Sequence, residues 1–147
     1  MQIYIHILTP VIAALLMNGL IFSQGLKINK NQNPNPYIPP GIFVGLIWLI
    51  LFALLGYVHY CLYSGNRNRF TAASIIIILF ILYSLAYPII TAFSSNPNTF
   101  SLLNQGALLF AAITTAAVYQ EDASLLPYMI PLLAWTTYVN LVTMLQD

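Results

Sequence analysis

Long uncharged apolar runs alternate with polar connectors along this 147-residue chain. The runs cover 3–22, 41–63, 70–93, 99–119 and 125–145. Each is close to the ~20 residues a helix needs to cross about 30 Å of hydrocarbon at a rise of about 1.5 Å per residue. In lipid, every backbone N–H and C=O needs a partner within its own helix or within a closed barrel. A barrel is built from strands of about ten residues in which apolar and polar positions alternate. The stretch 74–82 reads SIIIILFIL and does not alternate. The pattern predicts an all-α membrane protein, one domain over 1–147 made of a bundle of five transmembrane helices.

Charge supports the same division. Lys27, Lys30, Arg67, Arg69, Glu121, Asp122 and Asp147 all fall in connectors or at the C-terminal end. A charge at the centre of a span costs about 2.5–3.5 kcal/mol on insertion scales, which keeps such side chains out of the runs. With 60% hydrophobic and 5% charged residues, the chain cannot furnish the polar surface of a soluble domain, where about 25% of residues are charged. A formal net charge of +1 without a Lys/Arg cluster excludes a nucleic-acid footprint. Lys27 and Lys30 lie on one side of the membrane and Arg67 and Arg69 on the other, so the positive-inside rule leaves orientation open. Residues 1–6 lack the basic stretch of a secretory signal, so the first run is expected to be a span.

Three connectors are short: 64–69, 94–98 and 120–124. The first, 23–40, is long and reads SQGLKINKNQNPNPYIPP. Pro34, Pro36, Pro39 and Pro40 bias it to extended and turn conformations, and Pro39–Pro40 suits the entry to the second helix. Such a loop is either a lid over a binding site or a solvated linker.

Catalytic chemistry is hard to find. No carboxylate lies inside a span, which argues against paired-acid chemistry and acid-based proton relays. No phosphate loop or nucleophile motif is present. The single Cys61 has no intramolecular disulfide partner. His59 and Cys61, two apart on one helix, face different directions. With His6 they are too few for a closed metal site and are expected to be packing or interface residues.

Aromatic and amide side chains inside the spans carry more information. Trp48 with Phe52, Tyr83 with Tyr87 and Trp135 with Tyr138 each share a helix face. They read either as walls of an apolar pocket for a flat ligand or as packing and interfacial belts. Asn18, Asn104, Gln105 and Asn140 lie at or near membrane depth, and each is expected to find a hydrogen-bond partner. Gly41 and Gly45 form G-x-x-x-G, and Gly106, Ala107, Ala111, Ala112, Thr115 and Ala116 enrich the fourth span in small residues. Such faces permit close helix approach within the bundle or in a dimer. Pro10, Pro88, Pro127 and Pro131 are expected to bend helices and widen the bundle locally.

In the stretch from Tyr37 through Phe52 to Tyr57, the residues Pro39, Pro40, Gly45, Trp48, Gly56 and Tyr57 match parts of a pattern that reads approximately K-P-x-W-x-P-P, W-x-x-x-Y and M-G-Y. In this the stretch resembles the translocator protein family, also called the peripheral benzodiazepine receptor or tryptophan-rich sensory protein (TspO/MBR) family. Ala86, Tyr87 and Pro88 resemble that family's A-W-P in the third helix. Residues 112–120, with Thr114, Thr115, Tyr119 and Gln120, resemble its fourth helix. Pro131, Trp135 and Tyr138 resemble its fifth-helix P-Y-x-x-W-x-x-F. The likeness covers nearly the whole chain. Departures accompany it: the chain has two tryptophans, with Tyr37, Phe52, Tyr87 and Leu132 standing where the family has Trp, Tyr, Trp and Tyr. No Lys or Arg follows Tyr138 to complete a cholesterol-recognition pattern.

The resemblance implies a five-helix bundle, often a homodimer, with a pocket beneath the first loop for porphyrins, haem or isoquinoline-type drugs. It implies Tyr37 as a lid residue, Trp48, Phe52, Tyr87 and Trp135 as walls, Tyr138 as neighbour of Trp135, and Asn104 near an acidic position of some members. No obligatory cofactor and no catalytic residue is expected. The leading reading is a receptor or transport protein that senses, carries or sequesters a tetrapyrrole or similar flat hydrophobic ligand. The alternatives are a scaffold acting through protein partners and a light-dependent porphyrin-degrading enzyme, against which the loss of the loop and third-helix tryptophans argues. The resemblance admits mitochondrial outer, bacterial envelope and secretory membranes.

Overall fold

The computed structural model describes residues 2–23, 37–94, 96 and 98–145. Lys27, Lys30, Pro34, Pro36 and Asp147 lie outside the described residues, as do Ser95 and Pro97. Among the described residues five helices form: α1 (Gln2–Ser23), α2 (Gly41–Gly65), α3 (Ala72–Phe93), α4 (Thr99–Glu121) and α5 (Leu126–Met144). All five spans are long and apolar enough to cross a membrane. The protein is an integral, multi-pass membrane protein, and the helices match the apolar runs to within a few residues at each end.

The helices pack as a ring in the order α1, α2, α5, α4, α3, which closes where α3 meets α1; α2 also touches α3 across the middle. The C-terminal ends of α1, α3 and α5 and the starts of α2 and α4 therefore share one end of the bundle, called here the loop end. The core runs through Leu51, Leu55, Val58, Ile77, Phe80, Ala111, Val118, Met129 and Leu132, each at most 2% exposed. Leu8, Ile12, Leu16, Ile42, Ile50, Leu79, Leu109 and Ile130 face outward. Outward leucines and isoleucines are what a lipid solvent requires, since the chain has no water-facing side to hide them from.

At the opposite end the connectors are tied down by polar contacts. Thr71 and Ser74 cap α3 reciprocally: the Ser74 N–H donates to Thr71 Oγ1 over 3.1 Å and the Thr71 N–H to Ser74 Oγ over 2.8 Å. Glu121, at the end of α4, accepts the Ala73 N–H at the start of α3, a favourable place for a carboxylate next to a helix N-terminus. Asp122 Oδ1 accepts from the N–H and hydroxyl of Ser124. This turns the chain through a short 3₁₀ segment, Ala123–Leu125, into α5. Arg67 and Asn68 take left-handed backbone angles in the turn after α2, and the Asn68 N–H donates to the Tyr63 carbonyl over 3.0 Å.

Two glycines set helix separations, and neither belongs to the G-x-x-x-G of α2. Gly41 and Gly45 have nothing within 4 Å of a built Cβ, so they face open space rather than a neighbouring helix. At Gly56 a methyl group would run into the His6 carbonyl and would lie 2.8 Å from Ile7 Cα, so α1 and α2 cross backbone to backbone there. At Gly106 the Tyr83 hydroxyl occupies the space of a side chain. On α4, Ala107, Ala111 and Thr115 are buried, whereas Ala112 and Ala116 face outward. Helices α1, α3 and α5 continue through Pro10, Pro88 and Pro131, and Pro127 lies in the first turn of α5.

Since the His6 backbone cannot yield as a flexible side chain would, Gly56→Val is expected to force α1 off α2. A loss of about 1–3 kcal/mol is anticipated for such overpacking, readable as a lowered unfolding midpoint in detergent. Gly45→Val, in open space, is expected to leave the midpoint within about 0.5 kcal/mol of the parent.

Candidate functional site

At the loop end a cleft of about 500 Å³ opens between α2 and α5, lined by Pro39, Ile47, Ile50, Leu51, Pro131, Ala134, Trp135 and Tyr138. The wall residues follow helical spacing. Positions 47, 50 and 51 lie on one face of α2, and 131, 134, 135 and 138 on one face of α5. Ligand sites commonly span about 300–1,000 Å³ and are mostly apolar with a few polar handles. Here the polar handle is the Tyr138 hydroxyl, which donates a hydrogen bond to the Tyr37 carbonyl. That bond fastens the end of the first connector over the cleft. The Trp135 and Tyr138 rings stack at 5.8 Å and 29°, presenting a flat aromatic wall. Ile50, Pro131 and Ala134 are exposed on the bundle surface, so the cleft opens sideways on the bundle.

Of the residues anticipated as a site, Tyr37, Trp135 and Tyr138 come together here. Trp48 and Phe52 contact one another at 5.7 Å between ring centroids. Phe52 is 3% exposed and Trp48 packs against the core beside the cleft, so both stand behind its wall. Tyr87 and Asn104 sit elsewhere, between α3 and α4. The Tyr87 hydroxyl donates to Asn104 Oδ1 over 2.8 Å. Asn104 Nδ2 donates to Thr143 Oγ1 over 3.3 Å. Asn140 Nδ2 donates to the Asn104 carbonyl over 2.7 Å and to the Thr136 carbonyl over 3.1 Å. Asn104, Thr136, Asn140 and Thr143 are all buried. The four residues and Tyr87 form one hydrogen-bonded cluster that joins α3, α4 and α5 at loop-end depth.

Among the described residues, the expectation that each span amide finds a partner is met by Asn104 and Asn140 and fails for Asn18 and for Gln105. The Gln105 side chain is exposed on the outer face of α4, one residue and about 100° around the helix from Asn104. Tyr83 turns toward α4 as Tyr87 does, its hydroxyl donating to the Leu103 carbonyl over 2.7 Å. Sequence reading did not single out Ile47, Ile50, Leu51 or Ala134 as lining residues. Their signal was the shared face with Trp135 and Tyr138 and the proximity of Pro39, visible only once α2 and α5 are known to be neighbours. Thr136 and Thr143 were likewise missed, although they lie four before and three after Asn140 on its own face.

The amide cluster makes a stability prediction. Asn104→Leu keeps the backbone carbonyl that Asn140 bonds to but strips the Tyr87 hydroxyl and Thr143 Oγ1 of their side-chain partner, and is expected to destabilise the bundle by about 1–3 kcal/mol. Tyr87→Phe removes one hydrogen bond and is expected to lose about 0.6 kcal/mol, the average for such bonds in membranes. Unfolding in mixed detergent micelles, with each variant against the parent, measures the difference.

A protein-family model described as the TspO/MBR family matches residues 6–145 of the chain. No match was found among curated proteins or among solved structures.

Proposed function

The chain belongs to the TspO/MBR family, and from that premise we propose that it binds a flat, largely apolar ligand of the tetrapyrrole class in the cleft between α2 and α5. The ligand arrives from the bilayer and is sensed, carried or sequestered there. The observation that carries this reading is the stacked Trp135–Tyr138 wall facing an apolar cleft whose mouth opens sideways on the bundle. A macrocycle gains by leaving water or lipid for a packed aromatic face, with aromatic contacts worth about 0.5–1.5 kcal/mol beyond burial. The Tyr138–Tyr37 bond acts as a strap. It holds the proline-bounded entry to α2 over the cleft without adding charge to it. The lateral opening suits a ligand that partitions into membranes, since no water-filled path is needed.

Light-dependent breakdown of the ligand is a weaker companion reading, because Tyr37 and Tyr87 occupy the tryptophan positions of the loop and third helix. Trp135 alone retains an indole at the cleft wall.

Protoporphyrin IX titrated into the detergent-solubilised protein in the dark is expected to quench tryptophan fluorescence and shift the Soret band saturably. Micromolar binding corresponds to roughly −8 kcal/mol. Trp135→Ala is expected to weaken it about 5–10-fold through the lost aromatic wall. Tyr138→Phe, which unfastens the strap, is expected to weaken it about 2–10-fold, matching a net hydrogen bond of about 0.5–1.5 kcal/mol. Trp48→Phe, behind the wall, is expected to change it less than about two-fold. Equal affinity in the parent and Trp135→Ala would place the ligand outside this cleft.

A further inference from the structure

At the end opposite the cleft two histidines from different helices meet. His6 stands in the second turn of α1 and His59 in the last two turns of α2. Their Nδ1 atoms are 2.7 Å apart and their ring centroids 4.8 Å. At that distance one ring donates its Nδ1–H and the other accepts on a bare Nδ1, which leaves the donor's own Nε2 unprotonated. His59 is 8% exposed, and its Nε2 is buried with no hydrogen-bond partner. Aromatic rings surround the pair. Tyr60 and Tyr63 lie 5.7 and 5.4 Å from His6, Tyr63 stacks on His59 at 10°, and Phe70 lies 5.9 Å from His59. Gly56, on the same face of α2 as His59, holds the two backbones together at the His6 carbonyl and so fixes the spacing of the rings.

We propose that His6 and His59 form one proton-binding site, which takes up a single shared proton and thereby clamps α1 to α2 at the end opposite the cleft. The incoming proton goes to the bare Nε2 of the donor ring. That ring becomes an imidazolium, and the contact becomes a charge-assisted Nδ1–H⁺···Nδ1 bond, a stronger class than the neutral one. The surrounding ring faces favour the resulting cation. A second proton has to take the accepting Nδ1 lone pair, which removes the acceptor and sets two cations side by side. The site is therefore built for one proton: the first tightens the helix contact and the second breaks it.

The groups that face the pair are few. From α2 the titratable neighbours are Tyr60 and Tyr63, and from α1 Tyr4 is exposed. Helix α3, which packs against both α1 and α2, brings only Tyr83 and Tyr87 among titratable groups, both in its loop-end half. Arg67, Arg69, Glu121 and Asp122 are exposed in the connectors at this end.

Histidine-selective ¹⁵N NMR of the protein in lipid nanodiscs, from about pH 8 down to about pH 4, tests this across the histidine range. The expected result is a first protonation seen at both rings together and a separate second step at least about tenfold harder. The unfolding midpoint is expected to rise through the first step and fall through the second. In His6→Asn, His59 is expected to titrate alone in a single step, and the rise in the midpoint is expected to vanish. Phe70→Leu keeps both histidines and opens the cage, and is expected to move the first step to lower pH. Two rings titrating independently in the parent would overturn the proposal. A midpoint profile unchanged by His6→Asn, or a first step unmoved by Phe70→Leu, would do so too.

Discussion

Hydrocarbon offers no hydrogen bonds, and nearly every feature of this protein answers to that fact. Backbone groups are satisfied by running the chain as five helices. Several threonine hydroxyls inside the spans bond back to their own helix, whereas Ser84 Oγ is buried without a partner among the described residues. Thr9 donates to the Ile5 carbonyl, Thr114 to Phe110, Thr115 to Ala111 and Thr136 to Leu132, all within 2.9 Å. Charged groups are left to the connectors. The amides Asn104 and Asn140 and the hydroxyls of Tyr83 and Tyr87 are satisfied between helices instead, and those contacts help fix which helices are neighbours. The Asn104–Asn140–Tyr87–Thr143 cluster locks α3, α4 and α5 together at the loop end. Bonds of this kind average about 0.6 kcal/mol each in membranes, so the cluster acts as a set of alignment pins more than as a store of stability.

The two ends of the bundle solve the same problem in different ways. At the opposite end from the loop, the capping pair Thr71–Ser74, the Glu121 carboxylate on Ala73 and the Asp122–Ser124 turn consume the polar groups. The His6–His59 contact closes the α1–α2 side. At the loop end Asn104 and Asn140 are withdrawn into the α3–α4–α5 cluster. The α2–α5 side is left apolar, with a single hydroxyl already engaged by the Tyr37 carbonyl. Segregating polar cluster from apolar cleft gives a surface that favours a flat hydrophobic ligand over a polar one. The backbone-to-backbone crossing at Gly56 lies away from the cleft, so the separation of α2 from α5 is not held by the same contact.

The fold was legible in the sequence because length and apolarity are local properties. Five uncharged runs near twenty residues and seven charges confined to connectors leave few alternatives. The site was legible in part. Trp135 and Tyr138 announce a shared face by their spacing, and Pro39–Pro40 announces the entry to α2. Tyr87 and Asn104 were expected at the pocket from their places in the family's motifs. They face each other instead, and that depends on how α3 and α4 are rotated, which one sequence does not encode in any local pattern. The histidine pair was passed over for a similar reason. His59 was read beside Cys61 on its own helix, whereas its partner lies 53 residues away. The available signal was depth: antiparallel α1 and α2 each carry one histidine within two turns of the same membrane face.

The central claim is that the α2–α5 cleft, open to lipid and walled by Trp135 and Tyr138, is where a tetrapyrrole sits. An experimental structure of the protein with protoporphyrin IX in a lipid nanodisc tests it most directly. The account predicts the macrocycle lying against the Trp135 ring, beneath Tyr37–Pro40, with one edge reaching the bilayer between Ile50 and Ala134. A macrocycle bound between α3 and α4 beside Tyr87, or on an outer face away from α5, would contradict it.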